Sequence, residues 1–202
     1  MSLVEVLDRI AELRAVLAPP PAPPPAATQP AGSSFSTMLQ SAGASAPLGA
    51  PAAAVPAGPG GAALLAAVQG EVGVAEQPPG SNDSPRIAQY RQATAGSGVG
   101  PWCAYFTSWA AREAGMPLGD SGQGFGRVDD VYGWAQRTGR AVPNGPGVVP
   151  RPGDLIVWDE HIGVVEAVLP DGSLQTIEGN SSDQVARRTH PARSALGYVR
   201  MG

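Results

Sequence analysis

The sequence is poor in the residues that most metal and nucleic-acid sites require. It contains one cysteine, two histidines and no lysine among 202 residues, and all 13 basic residues are arginine. One cysteine excludes an intramolecular disulfide and a multi-cysteine metal site, and two histidines argue against structural zinc. No basic cluster is present, which argues against nucleic acid as a partner. No run of 18 apolar residues is present, so we expect no transmembrane segment. From the scarcity of cysteine and histidine we expect no bound metal, and we expect no other cofactor.

Glycine and proline are abundant instead, with 27 and 22 residues, well above the usual share. Half of the prolines lie between Pro19 and Pro59, and no charged residue lies between Arg14 and Glu71. Such a segment buries too little apolar surface to offset its chain entropy. We therefore predict a disordered Ala/Pro/Gly-rich linker over residues 19–61.

Residues 1–18, ahead of the linker, have helical periodicity. Apolar side chains follow the spacing of a narrow seam at Leu3, Val6, Ile10, Leu13 and Leu17. Charged residues interrupt this pattern and no basic stretch precedes it, which argues against a signal peptide. We predict an amphipathic helix that binds a protein partner or pairs with itself.

From residue 62 to residue 202 the composition is that of a globular domain. Helical patterns come first, at 63–72, 85–90, 102–114 and 128–137. Strand patterns follow, at 154–158, 162–168, 173–178, 185–189 and 196–199. Helices followed by an antiparallel meander predict an α+β fold.

Cys103 is predicted to lie in the first turn of the helix at 102–114. A helix N-terminus presents unpaired N–H groups and a partial positive charge, which favour a thiolate over a thiol. The same N–H groups can stabilise an oxyanion that forms beside the sulfur. Since a lone cysteine is more often an inert buried residue, it is this context that makes Cys103 the candidate nucleophile.

A nucleophilic thiolate requires a general base, and His161 stands at the mouth of the strand at 162–168. Strand alternation puts Glu178 and Asn180 on one face of the next strand. Either side chain can accept a hydrogen bond from the second ring nitrogen of His161 and orient the ring. The chain order of cysteine, histidine and acid or amide predicts papain-like nucleophilic catalysis.

Four motifs carry a resemblance to a known family. They are PWCAYF at 101–106, PGDLIVW at 152–158, HIGVV at 161–165 and TIEGN at 176–180. In this order they resemble CHAP domains, the cysteine- and histidine-dependent amidohydrolases and peptidases that cut bacterial peptidoglycan. The resemblance covers residues 62–202. It implies a papain-like α+β fold in which the nucleophile helix packs on an antiparallel sheet.

The resemblance also implies roles for the site residues. Cys103 would be the nucleophile and His161 the general base. Glu178 would orient His161, and Asn180 would be an auxiliary polar residue of the same site. Some relatives carry an acidic calcium loop, but this chain has no Asp-x-Asp pattern, so no metal is implied.

The surroundings of the site are less determined by the sequence. Trp102, Trp158 and Asn82 are candidate substrate-binding residues, although large aromatic side chains are more often part of a core. Tyr90, Asn82 and the backbone near Trp102 are all candidates for the second donor of the oxyanion hole. His190 is interpreted as a surface loop residue.

We therefore expect a peptidoglycan hydrolase that cleaves an amide bond, as an endopeptidase or as an N-acetylmuramoyl-L-alanine amidase. The alternatives are a catalytically silent wall-binding or assembly protein and a phage endolysin. The helix and linker ahead of a wall hydrolase favour a factor that serves cell-surface machinery such as the flagellum, with residues 1–61 as the docking or export element. The expected location is the cell wall, the periplasm or the extracellular space, reached without a signal peptide, and the cytoplasm before release.

Overall fold

The computed structural model of the chain describes residues 56–202, so the predicted helix at 1–18 and most of the predicted linker at 19–61 lie outside the described residues. Four helices come first: α1 (Pro59–Gln69), α2 (Pro85–Arg91), α3 (Cys103–Glu113) and α4 (Val128–Arg137). Six strands follow: β1 (Ala141–Pro143), β2 (Leu155–Val157), β3 (Ile162–Val168), β4 (Ser173–Glu178), β5 (Ala186–Pro191) and β6 (Gly197–Val199). Between residues 56 and 202 no helix has the length and apolar character needed to cross a membrane.

The six strands form one antiparallel sheet in the order β1-β6-β2-β3-β4-β5. Strands β2 to β5 form a meander in which each strand pairs with the next one along the chain. Strand β6 then returns to pair with β2 and holds β1 at the edge. Helices followed by an antiparallel sheet confirm the predicted α+β class.

Local sequence accounts for where two of the helices begin. Ser84 is the N-cap of α2, and its hydroxyl accepts a hydrogen bond from a backbone N–H in the first turn. Pro85 occupies the first helical position, where no N–H is needed. Helix α4 has the bounds predicted from the sequence. Asp129 and Asp130 in its first turn and Arg137 in its last turn are placed favourably for the helix dipole.

Helix α1 and strand β1 differ from the predictions, and β5 extends two residues beyond its predicted end. Helix α1 begins at Pro59, inside the segment predicted as linker, and it ends at Gln69, earlier than predicted. Gly61 in its first turn allows a close approach: a Cβ at this position would lie 3.0 Å from the carbonyl oxygen of Pro152. Strand β1 was not predicted, and its three residues are ordered by pairing with β6.

The helices cover one face of the sheet, and α3 is the central helix of this layer. Nine of its 11 residues are buried, so its position is determined by packing on several sides. Four aromatic rings pack together at 4.9–6.5 Å between centroids: Phe106 and Trp109 of α3, Trp102 just before it and Tyr90 of α2. The sheet residues that complete this core are Leu155, Val157, Ile162, Val164, Ile177 and Val199. A smaller cluster lies on the opposite face, as strand alternation requires, and contains Ile156, Val165, Leu174 and Tyr198.

Candidate active site

Cys103 is the first residue of α3, in the first turn as predicted. Its thiol is free, and the residue is 5% exposed. The first N–H of the helical ladder is that of Phe106, which donates to the carbonyl of Trp102. The N–H groups from Cys103 to Tyr105 therefore lie outside the ladder. The sulfur thus lies at a helix end that offers backbone donors and a partial positive charge.

A buried carboxylate holds this helix end in place. Glu76 is 3% exposed, and its Oε1 accepts a hydrogen bond of 2.9 Å from the indole N–H of Trp102. Its Oε2 accepts a hydrogen bond of 2.8 Å from the backbone N–H of Asn82. These bonds tie the loop around Asn82 to the residue immediately before Cys103. The sequence carries no signal for Glu76, because this residue lies in a segment without helical or strand pattern.

A glycine brings the end of β4 against α3. A Cβ at Gly179 would lie 2.6 Å from Cβ of Phe106 and 2.9 Å from the ring of Trp102. Real Cβ atoms are almost never found at such distances. Glycine therefore permits the approach that carries Glu178, the preceding residue, toward the helix of Cys103.

His161 lies in the connection between β2 and β3, next to Cys103. Its Nε2 lies 2.9 Å from Oε2 of Glu178, which leaves Nδ1 as the ring nitrogen for the thiol. Burial lowers the pKa of His161, but its hydrogen bonds and charge interactions with Cys103 and Glu178 outweigh burial and raise the pKa to about 9. Because the carboxylate of Glu178 can only accept, the Nε2–H of His161 donates to it.

Glu178 is buried at the end of β4, and both of its carboxylate oxygens are occupied. Oε1 lies 2.7 Å from Nε2 of His190 and accepts a hydrogen bond of 2.5 Å from the hydroxyl of Thr176. Burial raises the pKa of Glu178, but the hydrogen bonds from His161, Thr176 and His190 outweigh burial and hold this pKa below its ordinary value. Glu178 is therefore a charged acceptor, and each histidine nitrogen that faces it carries a proton.

Trp158 packs beside both histidine rings. Its ring is stacked on that of His161 at 5.7 Å between centroids, with 29° between the planes, and it lies 4.7 Å from the ring of His190. Its indole N–H donates to the hydroxyl of Ser194 at 3.1 Å, which holds the indole in this orientation. Trp158 thus covers the hydrogen bonds of Glu178 from one side and limits the access of water to them.

A cleft of about 520 Å³ opens beside Cys103. The start of α3 forms one wall, and the residues that lead into α4 and the loop before His161 form the others. Its charged lining residues are Arg127, Asp129, Asp159 and Glu160. This volume lies in the range of small-molecule and peptide sites. In the part of the chain from 56 to 202, no three His, Cys, Asp or Glu side chains are grouped so that they could hold a metal ion.

Two of the residues predicted to contact substrate or the oxyanion, Trp102 and Tyr90, lie in the core. Trp102 is fully buried in the core and its N–H is bound to Glu76, so it presents no surface to a substrate. Tyr90 is also fully buried, and its hydroxyl donates to Glu71, so it is not available as an oxyanion donor. The backbone N–H of Asn82 donates to Glu76, which also binds Trp102, the residue before Cys103. Among the donors considered, Asn82 and the backbone N–H groups at the start of α3 remain.

Asn180 and His190 both differ from their predictions. Strand β4 ends at Glu178, and Asn180 lies in the following turn with φ of 58°, so strand alternation does not extend to it. In the described part of the chain, Glu178 and not Asn180 is hydrogen-bonded to the ring of His161. Strand β5 continues to Pro191, so His190 is a strand residue opposite Leu174 and not a surface loop residue. If the alternating strand pattern is continued from residue 189 to Pro191, the sequence places His190 on β5.

Comparison with protein families gives one match. Residues 94–180 match the family model described as the CHAP domain. The matched segment runs from the loop before α3 to the turn after β4, and it contains Cys103, His161 and Glu178. The chain has no match among curated proteins or among solved structures.

Proposed function

Residues 94–180 belong to the CHAP family, and from this premise we propose that the protein is a cysteine hydrolase that cleaves an amide bond of bacterial peptidoglycan. A CHAP domain implies activity of the peptidoglycan-hydrolase type. The observation that carries the proposal for this chain is the arrangement of Cys103 at the start of α3, His161 next to it, and the buried carboxylate of Glu178 at 2.9 Å from Nε2 of His161.

In the first half of the reaction, the sulfur of Cys103 attacks the carbonyl carbon of the scissile amide. The developing oxyanion accepts hydrogen bonds from the free N–H groups at the start of α3. The imidazolium of His161 then gives its Nδ1 proton to the leaving nitrogen as the C–N bond breaks. The products of this half are a free amine and a thioester on Cys103.

In the second half, water attacks the carbonyl carbon of the thioester. Neutral His161 takes one proton from this water, and the C–S bond breaks to release a carboxylic acid product. With this proton on His161, the two residues are back in their starting protonation state. Glu178 keeps its charge throughout and holds the ring in one orientation, as the third member of a catalytic triad does.

The cleft beside Cys103 supports a peptide-like substrate. Arg127 provides a positive charge, whereas Asp129, Asp159 and Glu160 provide negative charges around the same opening. Peptidoglycan stem peptides carry both free carboxylates and free amines. A lining of mixed charge fits such a chain better than it fits a neutral glycan.

The test is incubation of the purified chain with isolated bacterial sacculi, followed by mass spectrometry of the released fragments. The variants are Cys103→Ala, which removes the nucleophile, and Arg112→Ala, a matched control on the exposed end of the same helix. We expect fragments from the wild type and the control but none from Cys103→Ala. New amino termini identify the cleaved bond, because an endopeptidase cuts within the peptide and an amidase frees the L-alanine that is bound to muramic acid.

Two outcomes contradict the proposal. Equal release by Cys103→Ala would exclude the sulfur as the nucleophile. Co-sedimentation of the folded wild type with sacculi, without release of any fragment, would instead support the alternative of a catalytically silent wall-binding protein.

A further inference from the structure

Glu178 has more hydrogen-bond partners than the orientation of one histidine requires. Oε2 faces Nε2 of His161 at 2.9 Å, while Oε1 faces Nε2 of His190 at 2.7 Å. The carboxylate thus bridges two histidine side chains, one from the connection before β3 and one from β5. Only His161 has a part in the reaction proposed above.

We propose that His190 is a positioning residue, which fixes the carboxylate of Glu178 in the plane that directs Oε2 at His161. This proposal rests on the proposed function, because only that function gives His161 a catalytic role. The hydrogen bond between His190 and Glu178 can be tested without any activity.

The strand geometry supports this role. His190 lies on β5, opposite Leu174 of β4, and alternation puts its side chain on the same sheet face as Thr176 and Glu178. It reaches Glu178 along this face from the side opposite to His161. The two histidines therefore hold the carboxylate from two directions, which restricts its rotation about the terminal side-chain bond.

Burial makes the restriction effective. The side chain of Glu178 is 3% exposed, and those of His161 and His190 are 30% and 29% exposed. The ring of Trp158 packs against both histidines, so water has limited access to the oxygen that His190 occupies. A hydrogen bond to a charged acceptor in such a site is stronger than one in water.

If the donor at 190 is lost, Oε1 keeps only the hydroxyl of Thr176, which comes from the same strand. The carboxylate can then turn toward this hydroxyl, and Oε2 moves out of line with His161. The titratable groups that face His161 are Cys103 on α3 and Glu178 on β4, with Asp159 and Glu160 next to it in the exposed connection. Of these contacts, a substitution at His190 changes the one made by Glu178.

The test compares His190→Gln with His190→Asn. Both are neutral amides, but the nitrogen of glutamine reaches the position of the histidine Nε2, and the nitrogen of asparagine stops short of it. Thr189→Ala, an exposed substitution on the same strand, is the control. Denaturant unfolding of each variant confirms that it is folded before it is compared.

The first measurement is the NMR titration of the His161 ring. We expect the asparagine variant to titrate at a lower pH than the wild type, because the charge of Glu178 is directed less well at the ring, and the glutamine variant to titrate like the wild type. The second measurement is cleavage of sacculi. The asparagine variant is expected to lose about tenfold or more in kcat, because a small misplacement of a catalytic group lowers the rate, with KM unchanged.

An asparagine variant that is folded and has an unchanged His161 titration would overturn the proposal. So would a glutamine variant that behaves like the asparagine variant, since the effect would then not depend on the donor. If the wild type cleaves no substrate while the titrations follow the expected pattern, the proposed function is contradicted and the positioning role of His190 stands.

Discussion

Replacing Gly163 with alanine should displace Glu178 without altering any polar group. Gly163 is buried in β3, and a Cβ at this position would lie 2.6 Å from Cγ of Glu178. Ordinary contacts of this kind are 3.4–4 Å. The backbone of β3 is held by its pairing with β2 and β4, so the side chain of Glu178 must give way.

The size of the displacement follows from these distances. Restoring an ordinary contact moves Glu178 by about 1 Å. Its hydrogen bond to His161 is 2.9 Å long, and the same movement away from the ring lengthens it beyond the usual range of hydrogen bonds. A misplacement of about 1 Å in a catalytic group costs roughly 100-fold in rate, which corresponds to about 2.7 kcal/mol. Overpacking should also destabilise the fold by about 1–3 kcal/mol.

The assay is the rate of fragment release from sacculi, combined with NMR titration of His161 and denaturant unfolding. The control is Gly145→Ala, because a Cβ at Gly145 would meet nothing within 4 Å. We expect Gly163→Ala to lower kcat and to move the titration of His161 to lower pH, and we expect the control to change neither.

A folded Gly163→Ala variant with wild-type release would refute this reasoning. If the titration of His161 is also unchanged, β3 moves instead of Glu178; if the titration moves to lower pH, the reaction does not need this carboxylate. A crystal structure of the variant distinguishes the two, since only the first keeps the bond between Glu178 and His161 intact.

Three further predictions concern single side chains. Trp102→Phe keeps the ring packing but leaves Oε1 of buried Glu76 without its donor; we expect a loss of about 1–3 kcal/mol in the free energy of unfolding, measured with denaturant. Glu178→Gln removes the charge that helps to raise the pKa of His161 to about 9. Because the imidazolium is the form present below this pKa, the alkaline limb of the pH profile of kcat/KM should move to lower pH. An unmoved limb would contradict the role of Glu178 as the charged partner of His161. Ser84→Ala removes the N-cap hydroxyl of α2 and should cost about 1 kcal/mol in thermal or denaturant unfolding, whereas Ser84→Asp should restore most of it.

The elements with strong local signals could be predicted from the sequence alone. Strands β3 and β4 and helix α4 have the bounds that the sequence predicts. The start of α2 is also as predicted, because Ser84 caps it through a bond within its own first turn. In each of these cases the residues that decide the structure are close neighbours in the chain, so periodicity and capping patterns contain the information.

Elements that depend on distant partners could not be predicted in this way. Glu76 binds the indole of Trp102 across 26 residues of sequence, and no local pattern marks such a pair. Helix α1 includes Gly61, which a local reading assigns to the linker, because the helix packs closely against the turn at Pro152. Strand β1 has three residues and is formed through its pairing with β6.

The sequence by itself determined the α+β class, the resemblance of residues 94–180 to the CHAP family and the chain order of Cys103, His161 and Glu178, because these depend on local patterns and on residue identity. Only the tertiary structure decided which groups surround that constellation. His190 lies next to Glu178 because of the register of β4 and β5. Asn180 lies in the turn after β4, so strand alternation does not apply to it, and Trp102 is buried by close packing. Such contacts depend on how far each strand extends and how closely two backbones approach, and these distances are fixed by packing across the whole domain.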